Sequence, residues 1–76
     1  MAHGGGAGDL ESRLIARLRA LHPFAWCDAC LAVIFAVSED EMRAAAVAAV
    51  GRHAALARER RACYACQRTT ELTALR

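Results

Sequence analysis

The chain contains no lysine; all ten of its basic residues are arginine. A phosphate-cradling loop closed by a lysine is therefore absent, and no Ser/His/Asp set is present either. With too little core to enclose a pocket, the sequence points away from an enzyme and from a small-molecule substrate. Long hydrophobic runs are missing as well. The longest strictly apolar stretch, Ala29 to Val37, has nine residues, against the roughly 18 to 20 that a membrane-spanning helix needs. No membrane segment is expected. The opening Met-Ala-His-Gly-Gly-Gly-Ala-Gly has neither the basic nor the apolar segment of an export signal, so a reducing cytoplasm is the expected compartment.

Large apolar side chains are scarce. The hydrophobic fraction is 57% of 76 residues, but nineteen of those residues are alanine and four are cysteine, which leaves only twenty large ones. A chain of this size makes one domain near the lower limit for autonomous folding. Such domains commonly need a metal, a disulfide or a partner to offset chain entropy, which directs attention to the cysteines.

Residues 1–50 hold four arginines against six acids, whereas 51–76 hold six against two, so the basic end is the C-terminal one. The formal net charge is +2. Four thiolates on one Zn²⁺ would add −4 + 2 = −2 and bring it to about zero, so overall charge does not by itself argue for nucleic acid.

Residues 1–8 read as a disordered Gly-rich leader and 9–76 as a single metal-stabilised domain. From Asp9, a candidate N-cap, Leu10, Leu14, Leu18 and Leu21 form an apolar stripe opposed by Glu11, Arg13, Arg17 and Arg19, which predicts a first helix ending before Pro23. Leu31 to Val37 reads as a short buried helix, with a buried strand as the rival. Ser38-Glu-Asp-Glu41 fits a capping box, and Val37 and Met42 fit its hydrophobic staple. A third helix is thus expected to start at Glu39 and to close at Gly51 as its C′ residue. Cys63-Tyr-Ala-Cys66 behaves as a turn. Its flanks, including the threonine-rich stretch to Leu75 with Leu72 and Ala74 on one side, would form a hairpin.

Cys27/Cys30 and Cys63/Cys66 are two Cys-x-x-Cys pairs separated by 32 residues. A two-residue gap lets one turn present two sulfurs to the same ion, so two such turns complete a tetrahedral Zn²⁺ site. A four-cysteine set leaves no open coordination position, and one structural zinc is the expected cofactor. Redox dithiols, disulfides, iron and free thiols are the competing readings. His3, His22 and His53 lack paired ligand spacing. Phe24 and Trp26 are expected to cover the metal and fill the core, and Tyr64 to sit exposed at the hairpin tip.

The run Leu31-Ala-Val-Ile-Phe-Ala-Val-Ser-Glu-Asp-Glu-Met-Arg-Ala-Ala-Ala-Val resembles the helix-turn-helix pattern. Ala32 takes the small inner position, Ala36 the turn position usually held by glycine, Val37 the buried turn residue, and Met42 and Ala45 the inner positions of the second helix. With a leading helix and a following hairpin, residues 9–75 are similar to a winged helix. The implied class is α+β, mostly helical, with a three-helix core, a C-terminal β-hairpin and the four-cysteine zinc site. The resemblance implies double-stranded DNA as a partner and a transcription-regulator type of function. The outward positions of the third helix, Glu39, Asp40, Arg43, Ala44 and Val47, suit DNA poorly, because carboxylates would face phosphates. The hairpin is the better candidate, with Arg58 and Arg60 on one face, Arg61 opposite, and Arg52 and Arg68 nearby. The alternatives are a solvated arginine-rich face and a protein-interaction module, homodimeric through the Ala-rich third helix, with the same fold and no DNA binding.

Overall fold

The computed structural model describes residues 6–76. Three helices, α1 (Gly6–Leu21), α2 (Asp28–Phe35) and α3 (Glu39–Arg52), precede an antiparallel hairpin of β1 (Leu56–Ala62) and β2 (Thr69–Leu75). Residues 1–5 of the expected leader lie outside the described residues. Helix α1 begins three residues before the expected Asp9, which lies in its first turn and faces Arg13 at 3.9 Å. Among the described residues, no helix is long and apolar enough to cross a membrane.

The leucine stripe of α1 forms as its spacing requires: Leu14 and Leu18 are buried, with Leu10 packed against the same core. Glu11, assigned to the polar face, is instead buried, and its Oε1 lies 3.3 Å from Arg52 at the end of α3. Pro23 stops α1 through the restriction it places on His22, and the backbone turns back with Phe24 N–H donating to the Leu21 carbonyl at 2.8 Å.

Helix α2 is helical, not a strand, and closes on Ala36 in the left-handed region (φ 57°, ψ 43°). Val37 N–H donates to the Ala32 carbonyl at 3.0 Å and Ala36 N–H to that of Val33 at 3.3 Å. This is the Schellman arrangement, which usually places glycine at the left-handed residue. The turn leads directly into α3, whose capping box is complete: Glu41 N–H donates to Ser38 Oγ and Ser38 N–H to Glu41 Oε1, both at 3.0 Å. Met42 and Val37 pack on the core as a staple would.

Gly51 does not end α3. The helix continues through Arg52, and His53 caps it in an extended conformation with its N–H on the Ala49 carbonyl at 2.9 Å. No left-handed residue is needed there, and the ion pair of Arg52 with buried Glu11 holds the last turn.

In the hairpin Leu56 pairs with Leu75 and Ala62 with Thr69. An isolated antiparallel bridge joins Cys27, just before α2, to Leu72 in the middle of β2. Leu72, Thr73 and Ala74 are all buried, so β2 departs from strict alternation. Thr73 is covered because Arg58 Nη1 donates to its Oγ1 at 3.0 Å. Two apolar clusters result. One lies among the helices around Leu14, Leu31, Met42 and Ala46; the other surrounds Cys27 and Cys63 with Ala25, Leu72 and Ala74, and Trp26 packs on both.

Candidate metal centre

The four cysteines converge. Cys27 caps α2, Cys30 lies in its first turn, Cys63 follows β1, and Cys66 ends the turn that leads to β2. Their sulfurs all lie within 4.8 Å of one another, with Cys27 Sγ 3.8 Å from Cys66 Sγ and Cys30 Sγ 3.8 Å from Cys63 Sγ. A tetrahedron built on metal–sulfur bonds of about 2.3 Å has edges of about 3.8 Å. The sulfurs are therefore at the spacing of one shared ion and well beyond the roughly 2.05 Å of a disulfide. They could bind one metal ion, and four soft thiolates in tetrahedral array suit Zn²⁺. No histidine belongs to this group among the described residues.

The backbone prepares the site for thiolates. Cys27 N–H and Cys66 N–H point at Cys63 Sγ at 3.2 and 3.4 Å. Burial opposes ionisation of Cys63, but the amides of Cys66, Cys27 and Ala65 outweigh it and hold this thiol at about 6. The backbone amide and then the side chain of Arg68 pull Cys66 below its ordinary value. Burial pushes Cys27 and Cys30 up, and for Cys30 the neighbouring sulfurs add to the rise. Four such groups cannot ionise together without a cation between them.

Further bonds stitch the second pair to the helices. Tyr64 N–H donates to the Ala25 carbonyl at 2.9 Å, Cys63 N–H to that of Arg68 at 2.9 Å, and Gln67 N–H to that of Cys63 at 2.7 Å. Gln67 takes a positive φ of 69° to close this turn. Trp26 is half-buried against the cysteines as expected, whereas Phe24 stays out of the core and stacks on Tyr64 with ring centroids 4.2 Å apart.

The six arginines expected to hold nucleic acid are placed very differently from one another. Arg58 does not project from the hairpin: it turns inward to Asp28, with Nη1–Oδ1 2.9 Å and Nη2–Oδ2 3.0 Å. Asp28, only 4% exposed, also receives Arg43 Nε at 3.5 Å, and Arg43 is further engaged by Glu39 at 2.8 Å and Asp40 at 3.4 Å. Arg52 is held by Glu11. Arg61 donates to the Pro23 carbonyl at 2.9 Å and reaches Glu59 at 3.4 Å. Arg60 and Arg68 are exposed, Arg60 opposite Glu71 across the strands and Arg68 beside Cys66. Asp28 and Glu11 are the residues the sequence did not single out. Their burial is set by contacts across 30 and 41 residues of chain, and no local pattern marks them.

No protein family, curated protein or solved structure matches this chain.

Proposed function

We propose that this chain is a small structural-zinc protein of winged helix-turn-helix type, associated with DNA in the manner of a transcription regulator. The observation that carries this reading is the Cys27–Leu72 bridge. It pairs Cys27, in the segment between α1 and α2, with β2, whose other edge pairs with β1, alongside a helix pair joined by a left-handed tight turn. A leading helix, a helix pair and a following hairpin in that order match the winged helix-turn-helix that the sequence resembles. The zinc is structural, because four protein sulfurs leave it no position for water or substrate.

The DNA contacts fall on the wing. Helix α3 opens with Glu39, Asp40 and Glu41, and its Arg43 is neutralised by carboxylates. Arg60 and Arg68, both exposed, remain to meet phosphates, since Arg61 is engaged by Pro23 and Glu59. Two such contacts predict that log K for duplex DNA falls with log salt at a slope of about −1.8. Fluorescence anisotropy of a labelled random duplex with the zinc-loaded protein measures this. Arg60→Ala with Arg68→Ala should flatten the slope, and the absence of any duplex binding at low salt counts against the reading.

A second reading, a protein-interaction module, is favoured by the outward face of α3. Ala44 is exposed there and Val47 is 54% exposed, and Arg43 beside them is taken up by Glu39 and Asp40. Because Arg43 on this face is already engaged by carboxylates, a concentration-dependent dimer in sedimentation, without DNA affinity, would select it.

A further inference from the structure

We propose that the hairpin tip is a binding slot for one unpaired base of a single-stranded nucleic acid, formed by Phe24, Tyr64, Gln67 and Arg61. This rests on the nucleic-acid reading above but assigns a different surface and a different strand state.

Two independent observations meet at this place. The first is the aromatic pair. Phe24 and Tyr64 stack at 4.2 Å with ring planes 21° apart, yet they are 50% and 57% exposed. Large rings left half in water beside the cysteine cluster are not filling a core. They offer a flat π surface of the kind on which bases stack irrespective of sequence. A cavity of about 230 Å³ lies against them, lined also by Gln67 and Arg61. That is below the roughly 300 Å³ at which drug-sized sites begin, and suits a single ring system.

The second observation is the backbone of Gln67. Its φ of 69° lies in the left-handed region, where glycine is the low-energy choice. A glutamine kept in that conformation at the wall of the cavity carries a cost in stability. Such a cost points to use of the side chain. Its carbonyl and amino groups together match the adjacent donor and acceptor of a base edge. Arg61, fixed by the Pro23 carbonyl and Glu59, adds a cation at the rim for the adjoining phosphate. An amide edge beside a cation and a stacked ring pair favours a base over an apolar peptide side chain.

The test compares three labelled probes at low salt with the zinc-loaded protein: an oligothymidylate of about twelve nucleotides, an abasic strand of the same length, and a duplex. The oligothymidylate should bind about tenfold or more tightly than the abasic strand, which keeps the phosphates and removes the rings. Phe24→Ala should abolish that difference with zinc content unchanged. Gln67→Gly should raise the thermal midpoint and reduce the difference, opposite effects that a purely structural glutamine would not produce. Equal binding of the two single strands overturns the slot. If the duplex still binds, the wing reading survives; if no probe binds, both fall. Tighter binding of tryptophan amide than of thymidine, followed by chemical shifts at Tyr64, also overturns it, in favour of a peptide.

Discussion

Arg58 of β1 closes a two-point fork on the Asp28 carboxylate in the first turn of α2, at 2.9 and 3.0 Å, and both side chains lie away from solvent. This pair crosses from the hairpin to the helices beside the cysteine cluster, so two different devices fasten the same pair of elements. Removing Arg58 leaves the buried Asp28 facing only the half-exposed Arg43 at 3.5 Å. Arg58→Ala is expected to cost about 3 kcal/mol. Arg58→Met combined with Asp28→Leu should cost less than either single change, since replacing both partners strands neither. Urea denaturation of the zinc-loaded variants measures this.

Cys63→Ser should lose stoichiometric metal and the cooperative unfolding transition together, because the binding energy of a closed site is folding energy. Chelation of the wild-type protein should do the same. Far-UV circular dichroism alongside metal analysis checks both, and a folded, cooperative, metal-free variant would refute the structural role.

Acid should destabilise the metal-loaded protein in a definite direction. Unfolded thiols titrate near about 8.5 and are protonated at neutral pH, whereas the metal-bound sulfurs carry no protons. The unfolded state therefore binds more protons, so stability rises with pH up to about 8.5 and falls as the solution is acidified. Cys63, held at about 6 by backbone amides, should be the more acid-resistant ligand, and the buried Cys27 and Cys30, whose thiols are raised, the first to take protons. Thermal midpoints across pH in the presence of zinc report the slope.

The capping box of α3 supplies a separate pH signature. The Ser38 backbone N–H and then its side chain hold Glu41 below the usual carboxylate range. A lowered value stabilises the fold above the ordinary carboxylate pKa, and that contribution is lost as pH falls through the folded value. Ser38→Ala should cost about 1 kcal/mol at neutral pH. Glu41→Gln should remove the acid-sensitive part while leaving the bond from the residue 41 N–H to Ser38 Oγ intact. Thermal midpoints of the two variants between acid and neutral pH check both.

Ala36 offers a gain. It adopts a left-handed conformation at the end of α2, so Ala36→Gly should stabilise the protein by about 1 kcal/mol, seen as a higher denaturant midpoint with an unchanged slope.

Much of this architecture follows from local chemistry. Ser38 and Glu41 form their reciprocal bonds within four consecutive residues, Pro23 limits α1 through its neighbour, and Ala36, one residue before the α3 staple, closes α2 in the left-handed region. The doubled Cys-x-x-Cys spacing likewise implies a shared ion whatever lies between the halves, because each pair presents its sulfurs from one turn. The element boundaries set by packing are not legible in this way. Gly51 reads as a helix terminus because glycine often is one, yet α3 runs past it where Arg52 meets the buried Glu11 of α1.

The sequence by itself marked the two Cys-x-x-Cys pairs, the first and third helices and a hairpin, since each depends on spacings of a few residues, and left α2 open against a strand, a choice the fold settles as helix. Only the tertiary structure decided the fate of the arginines. Composition counts Arg43, Arg52 and Arg58 as positive charge offered to a partner, but a carboxylate distant in the chain faces each of them. Ion pairing of that kind depends on which surfaces the fold brings together, and neither charge totals nor periodicity carry that information. The same holds for the Phe24–Tyr64 stack, whose rings are 40 residues apart and meet because the cysteine cluster brings the hairpin turn against the entry to α2.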